Sequence, residues 1–127
     1  MKTDMKILIA EDNAVNRELL RELLEMRGHA VLEACNGEEA LRVVEESKPD
    51  ILLLDLGMPV LDGYGTVRKI RENPGFASLP VLAVTAYAMQ GDKERILSSG
   101  FDGYLSKPIN PTLLFQELER LLSRTVK

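Results

Sequence analysis

The sequence predicts an α/β fold in which a five-stranded parallel sheet carries helices on both faces. Three observations predict it. Five short apolar runs alternate with five segments of helical periodicity. The connections between them are short, as in wound α/β units. One run, Ile51-Leu52-Leu53-Leu54, is aliphatic at every position, the pattern of a strand buried on both sides. Right-handed crossovers then leave few possible topologies.

The chain has 127 residues, which suits a single domain spanning 1–127 with a core of about 5–123. Hydrophobic residues make up 45% and charged residues 28%, a globular balance. The net charge is -4, and no segment forms a large basic patch, so direct nucleic-acid binding is not expected. Cys35 is the one cysteine and has no internal partner, which fits a reducing cytoplasm. It reads as a small packing residue in the core or near the surface. Met1-Lys2-Thr3-Asp4 lacks the apolar stretch of a signal peptide, and no run reaches the roughly 20 apolar residues of a membrane span.

In chain order, Lys6-Ile7-Leu8-Ile9-Ala10 is the first strand and runs into two acids, Glu11 and Asp12. Asn13 can cap the next helix. Val15, Leu19, Leu20, Leu23 and Met26 recur at helical spacing and are expected to form its apolar face, closed by Gly28. Arg17, Glu18, Arg21, Glu22 and Glu25 read as solvated charges. His29 reads as a loop residue, since no second histidine exists to share a metal. Ala30-Val31-Leu32-Glu33-Ala34 is the second strand. Asn36 and Glu39 have capping-box spacing for a helix packing Ala40, Leu41, Val43 and Val44 inward. Lys48-Pro49-Asp50 breaks that helix and leads into the third strand, which delivers Asp55 at its end.

Gly57 to Gly63 is a loop, with Pro59 and Asp62-Gly63 as turn chemistry. Tyr64 to Glu72 forms a short helix burying Val67 and Ile70, ended by Asn73-Pro74-Gly75, with Phe76 and Leu79 tucked against the body. Pro80 to Val84 is the fourth strand, followed by Thr85. Asp92 to Ser99 is a helix closed by Gly100. Phe101 to Ser106 is the fifth strand region, ending in Lys107-Pro108. Asn110-Pro111 starts a last helix with its apolar face on Leu113, Leu114, Leu118, Leu121 and Leu122, and the tail from Ser123 frays.

Four of the five strand runs are thus followed by a group able to handle metal or phosphate: Glu11 and Asp12, Asp55, Thr85, and Lys107. In a parallel sheet these ends share one edge, where ligands of such folds bind. Alone, each has an ordinary role: a turn cap, a strand-end hydroxyl, a surface ammonium, or acids favoured by a helix N-terminus. Clustered acids repel, and a hard divalent cation relieves the repulsion. Carboxylates without histidine or cysteine make Mg2+ the default. A carboxylate can also attack phosphorus, given in-line placement and charge neutralisation.

Ala10-Glu11-Asp12-Asn13, Asp55 to Gly63, Thr85-Ala86 and Lys107-Pro108 resemble, in order, the motifs of the receiver domain of two-component response regulators. The resemblance covers nearly the whole chain. It implies a CheY-like, flavodoxin-like (βα)5 fold with strand order 2-1-3-4-5. It implies that Asp55 is the phosphoacceptor, taking its group from a phosphohistidine on a sensor histidine kinase or histidine phosphotransfer protein. Asp12 and Asp55 would bind Mg2+ through side chains, Gly57 through its carbonyl and Glu11 through water. Glu11 stands where aspartate is common. Thr85 and Lys107 would bind phosphoryl oxygens, and the bond before Pro108 would be cis.

The same resemblance implies a switch. Thr85 would move toward the phosphoryl group and Tyr104, whose plainer role is strand packing, would turn inward, changing the face of the fourth helix, fifth strand and fifth helix for a downstream protein target. Tyr87, Ala88 and Met89 lie in the loop beside the pocket, either tuning access and partner choice or standing as ordinary exposed loop residues. Gly57 departs from the bulkier polar residues often found there and cannot itself position or hinder water.

Thr85 to Asp92 and Lys107-Pro108-Ile109 resemble DivK-type single-domain regulators and the receivers of hybrid histidine kinases. The chain leaves no room after its last helix for a DNA-binding module, so output is expected through protein contacts. Two other readings compete. One is a receiver-like scaffold that binds partners without phosphorylation, which the intact acids, Thr85 and Lys107 oppose. The other is a flavodoxin-like enzyme, opposed by the lack of a phosphate-cradling glycine loop and of a catalytic histidine near a strand end.

Overall fold

The computed structural model describes residues 5–86 and 90–125. The strands are β1 (Lys6–Ala10), β2 (Ala30–Ala34), β3 (Ile51–Asp55), β4 (Val81–Thr85) and β5 (Gly103–Ser106). The helices are α1 (Ala14–Met26), α2 (Gly37–Ser47), α3 (Gly63–Glu72), α4 (Gln90–Ser98) and α5 (Pro111–Thr125), with a 3-10 turn at Pro74–Phe76. All strand pairings are parallel, in the order β2-β1-β3-β4-β5. The flavodoxin-like fold expected from the sequence is the fold observed.

Side chains alternate along each strand between two cores. Ile7, Ile9, Ile51, Leu53, Leu82, Val84 and Leu105 pack with α1 and α5 through Leu20, Leu24, Leu114, Leu118 and Leu121. Leu8, Leu52, Leu54, Val81 and Ala83 pack with α2, α3 and α4 through Ala40, Val44, Val67, Ile70 and Ile96. Every residue of Ile51 to Leu54 is therefore buried, two into each core, which is why none of these four positions is polar.

Several local readings need correction. The buried stripe of α1 is Leu20 and Leu24, whereas Val15, Leu19 and Met26 are exposed. Their spacing is helical, but they lie on a strip rotated away from the sheet; spacing fixes a face, not what that face meets. Leu113 of α5 is likewise exposed, because Leu114, Leu118 and Leu121 occupy the side against the strands. Asn36 caps α2 by accepting from the Glu39 N–H, but the Glu39 carboxylate accepts from Cys35 N, one residue before the usual capping-box donor. Helix α5 continues to Thr125, past the expected fraying point. Of the two places expected for Cys35, the core and the surface, the surface is the one observed. His29 is a loop residue whose Nδ1 accepts from Met5 N, 3.1 Å, tying the start of the chain to β2.

Among the described residues, no helix is long and apolar enough to cross a membrane.

Candidate functional site

The parallel sheet brings the ends of β1, β3, β4 and β5 to one edge. Glu11 leaves β1 but stays tied to the sheet, since its N–H donates to Ala34 O of β2, 3.0 Å. Its side chain is 1% exposed. Oε2 accepts from Asn13 N, 3.1 Å, so the acid and the α1 cap share one turn. Asp12 is exposed beside it. Asp55 closes β3 and is buried; its Oδ1 accepts from Gly57 N, 3.1 Å. One carboxylate oxygen from each of Glu11, Asp12 and Asp55 lies within 4.8 Å of the others.

Lys107 reaches this cluster from the end of β5. Its ammonium lies 2.9 Å from Glu11 Oε1 and 3.3 Å from Asp55 Oδ2. Its N–H donates to Thr85 O, 2.8 Å, which anchors the lysine to the end of β4. The Lys107–Pro108 peptide bond is cis. Thr85 is buried at that strand end, paired in register with Ser106. Tyr104, two residues before Ser106, is half-buried against the α2–α4 core with the Lys93 ammonium 5.8 Å from its ring centre.

The loop after Asp55 is shaped by close approach. Asp62 caps α3 by accepting from Gly65 N, 2.8 Å. A Cβ on Gly63 would stand 2.8 Å from Asp55 O and from Leu56 Cα, so only glycine lets α3 begin this near the strand end. At Gly57 nothing among the described residues lies within 4 Å of an added Cβ, and the residue is exposed. The position accommodates a side chain that this protein does not use.

The electrostatics follow from burial. Burial, and then the neighbouring Asp55 carboxylate, push the Glu11 carboxyl up to about 7; Lys107 and the Asn13 N–H only partly oppose them. Burial alone would lower Lys107, but its contacts with Glu11 and Asp55 outweigh it, and the ammonium is held above its ordinary value. Glu11 Oε1 has the lysine nitrogen at ion-pair distance, yet among the described residues no donor is aligned on it as a hydrogen bond. A buried carboxylate oxygen in this condition, within a three-carboxylate set, suits a hard oxygen-seeking cation.

The sequence-nominated Glu11, Asp12, Asp55, Thr85 and Lys107 thus sit together, with Gly57 in the adjoining loop and Tyr104 one strand step away. Tyr87, Ala88 and Met89 lie outside the described residues. Sequence reasoning missed Arg17. Far from being merely solvated, its side chain is 19% exposed, and its Nη1 donates to Glu11 O, 2.8 Å. The signal was faint: an arginine on the first turn of α1 and Glu33, an acid inside an otherwise apolar strand.

Comparison with known proteins places these residues in context. The family model described as "Response regulator receiver domain" matches residues 7–119. The polar-differentiation response regulator DivK of Brucella anthropi is 36% identical, over 91% of this chain and 94% of its own length. Hybrid signal transduction histidine kinase I of Dictyostelium discoideum is 41% identical over 96% of this chain, which spans only 7% of that relative. The receiver domain of a Pseudomonas aeruginosa sensor histidine kinase, described with a magnesium ion coordinated in its active-site cleft, superposes with a TM-score of 0.88. The two share 37% identity, over 94% of this chain and 98% of that one.

Proposed function

The chain belongs to the response regulator receiver family of two-component signalling, and from that premise we propose that Asp55 accepts a phosphoryl group in an Mg2+-dependent reaction. The observation that carries this reading is the convergence of three carboxylates within 4.8 Å, two of them touched by one ammonium, at the sheet edge. The donor is a phosphohistidine on a sensor histidine kinase or histidine phosphotransfer protein.

An Asp55 side-chain oxygen attacks phosphorus, the P–O bond forms as the P–N bond breaks, and the nitrogen electron pair leaves with the donor imidazole. Asp55 is suited to this because β3 is buried along its length and holds the carboxylate still. Lys107 carries a fixed positive charge to the phosphoryl oxygens, and its ties to Glu11 and Asp55 aim it there before substrate arrives. Thr85 offers its hydroxyl to a phosphoryl oxygen from the end of β4. Asp12 and Asp55, the Gly57 carbonyl, and Glu11 through water would hold the metal. When bound, Mg2+ supplies neutralisation of the phosphoryl charge.

The output is a change of protein contacts. Thr85 shifts toward the phosphoryl group, Tyr104 turns inward, and the α4–β5–α5 face is remodelled for a downstream partner. Tyr104 starts half-buried beside Lys93, so an inward turn exchanges a cation–π contact for deeper burial.

The test is phosphorylation with acetyl phosphate or phosphoramidate in the presence and absence of Mg2+. Native protein takes up one phosphoryl group in an Mg2+-dependent manner, and Asp55→Asn takes up none. Equal labelling of Asp55→Asn excludes Asp55 as the acceptor. Failure of the native chain to label leaves it as a partner-binding scaffold.

A further inference from the structure

Arg17 makes contacts that a surface charge has no need of. It projects from the first turns of α1 across the end of β1, with Nη1 donating to Glu11 O, 2.8 Å, and Nε to Glu33 Oε1, 2.8 Å. Glu33 lies on the edge strand β2, opposite Ile9 in register. The other Glu33 oxygen is taken by Arg21 Nη1, and Arg21 Nε donates to Glu25 Oε2, 3.1 Å. The guanidinium is therefore gripped from its outer side while its inner end holds one carbonyl.

That carbonyl belongs to the peptide joining Glu11 to Asp12. The Glu11 N–H is already fixed on β2 by Ala34 O. Arg17 fixes the other end of the residue, and with it the orientation of the peptide plane that carries Asp12. Rotation of this plane would re-aim both acids. The distinctive ability of an arginine fork is to satisfy two acceptors at a set angle, which lysine lacks.

We propose that Arg17 is a positioning residue of the acid cluster: it locks the Glu11–Asp12 peptide and thereby sets the affinity of the site for a divalent cation. The proposal rests on the reading that these acids take Mg2+. Groups that orient metal ligands from behind are commonly worth a factor of about 10 to 100 in metal affinity.

The sign of the effect separates positioning from plain electrostatics. Arg17 is a cation near a cation site, so by charge alone its removal would tighten Mg2+ binding, and Arg17→Lys would change little. Positioning demands the reverse: Arg17→Gln and Arg17→Lys both bind Mg2+ roughly tenfold more weakly. Arginine, lysine and glutamine have similar helix propensities, so α1 should tolerate both changes.

The experiment is calorimetric titration of Mg2+ into native, Arg17→Lys, Arg17→Gln and Glu33→Gln proteins, with folding checked by urea denaturation. In the metal-free proteins, the Glu11 carbonyl 13C and Asp12 amide 15N resonances report the hydrogen bond directly. The expected result is weakened Mg2+ binding in both Arg17 variants, a smaller loss in Glu33→Gln, and displaced Glu11 and Asp12 resonances before metal is added. Native-like affinity in Arg17→Lys, tighter binding in Arg17→Gln, or unmoved resonances overturn the proposal. Absence of Mg2+ binding to the native chain overturns it together with the reading of the acid cluster, an outcome distinct from the others.

Discussion

The buried Glu11 carboxyl makes the stability of the metal-free protein depend on pH in an unusual direction. Its value rises from 4.5 in the unfolded chain to about 7 in the fold, first through burial and then through Asp55. Between these values the native state holds a proton that the unfolded state has released. The stabilisation is therefore fully present below pH 4.5 and is lost as pH rises through 7. At about 1.4 kcal/mol for each pH unit of that gap, the loss amounts to about 3 kcal/mol. With a urea slope of about 2 kcal/mol per molar, the midpoint moves by roughly 1.5 M.

The assay is urea denaturation in a chelator across pH 4.5 to 8, comparing native protein with Glu11→Gln. Glutamine keeps the shape and removes the titration. Subtracting one curve from the other cancels every group that the substitution leaves unchanged. The expected difference grows by about 3 kcal/mol in favour of Glu11→Gln as pH rises. Saturating Mg2+ stabilises the native protein more at pH 8 than at pH 5, because cation binding to the deprotonated acids is binding to the folded state alone. Parallel native and Glu11→Gln curves would show that this carboxyl titrates normally, and the account of its burial would fail.

Two further outcomes concern glycines, one in the site loop and one at the start of α2. Gly57→Asn meets no described residue and is expected to leave the urea midpoint within about 0.5 kcal/mol of native, while changing the lifetime of the phosphorylated form; equal dephosphorylation rates remove side-chain control at this position. Gly37→Ala would place a Cβ 2.2 Å from Thr66 Oγ1 and 2.3 Å from Leu61 O, and the Thr66 hydroxyl is already committed to Asp62 O at 2.7 Å. A loss of about 3 kcal/mol in urea denaturation is expected, and an unchanged midpoint would show that α2 can back away from the loop at no cost.

What the sequence revealed, and what it hid, divides by the range of the interaction. The sheet was legible because each aliphatic run is local and short, and because acids, a hydroxyl and an ammonium follow four of the runs directly. Parallel winding then supplies the long-range step without further information. Helix faces were harder. Val15, Leu19 and Met26 keep helical spacing, yet the sheet sits against Leu20 and Leu24, and only the third dimension decides between adjacent strips. Arg17 was hidden for the same reason, since Glu33, 16 residues away, meets it only after β2 pairs with β1. The Arg71 clamp was hidden likewise: its guanidinium collects the carbonyls of Leu79 and Gly100 and the Asp102 carboxylate from separate turns of chain.

Charge counting explains why a buried acid and a lysine at this site suit the divalent ion proposed for it. Glu11, Asp12 and Asp55 bring three negative charges when fully ionised, and Lys107 returns one. The deficit is two. Without metal, the fold reduces it by raising the Glu11 carboxyl to about 7, so that near neutrality a proton supplies part of the missing charge. A dication removes the deficit and displaces that proton. An incoming phosphoryl group, as proposed, would add negative charge to the same cluster, and Lys107 alone is already shared between two carboxylates. In the proposed reaction, discharge of the phosphoryl charge would therefore fall to the dication, and its placement to the peptide between Glu11 and Asp12. That peptide is held by β2 on one side and by Arg17 on the other. On the proposed reading, the acids nearest the reaction would be oriented by a residue whose own charge opposes the ion they bind, an arrangement that makes sense only if geometry at this site outweighs the local charge.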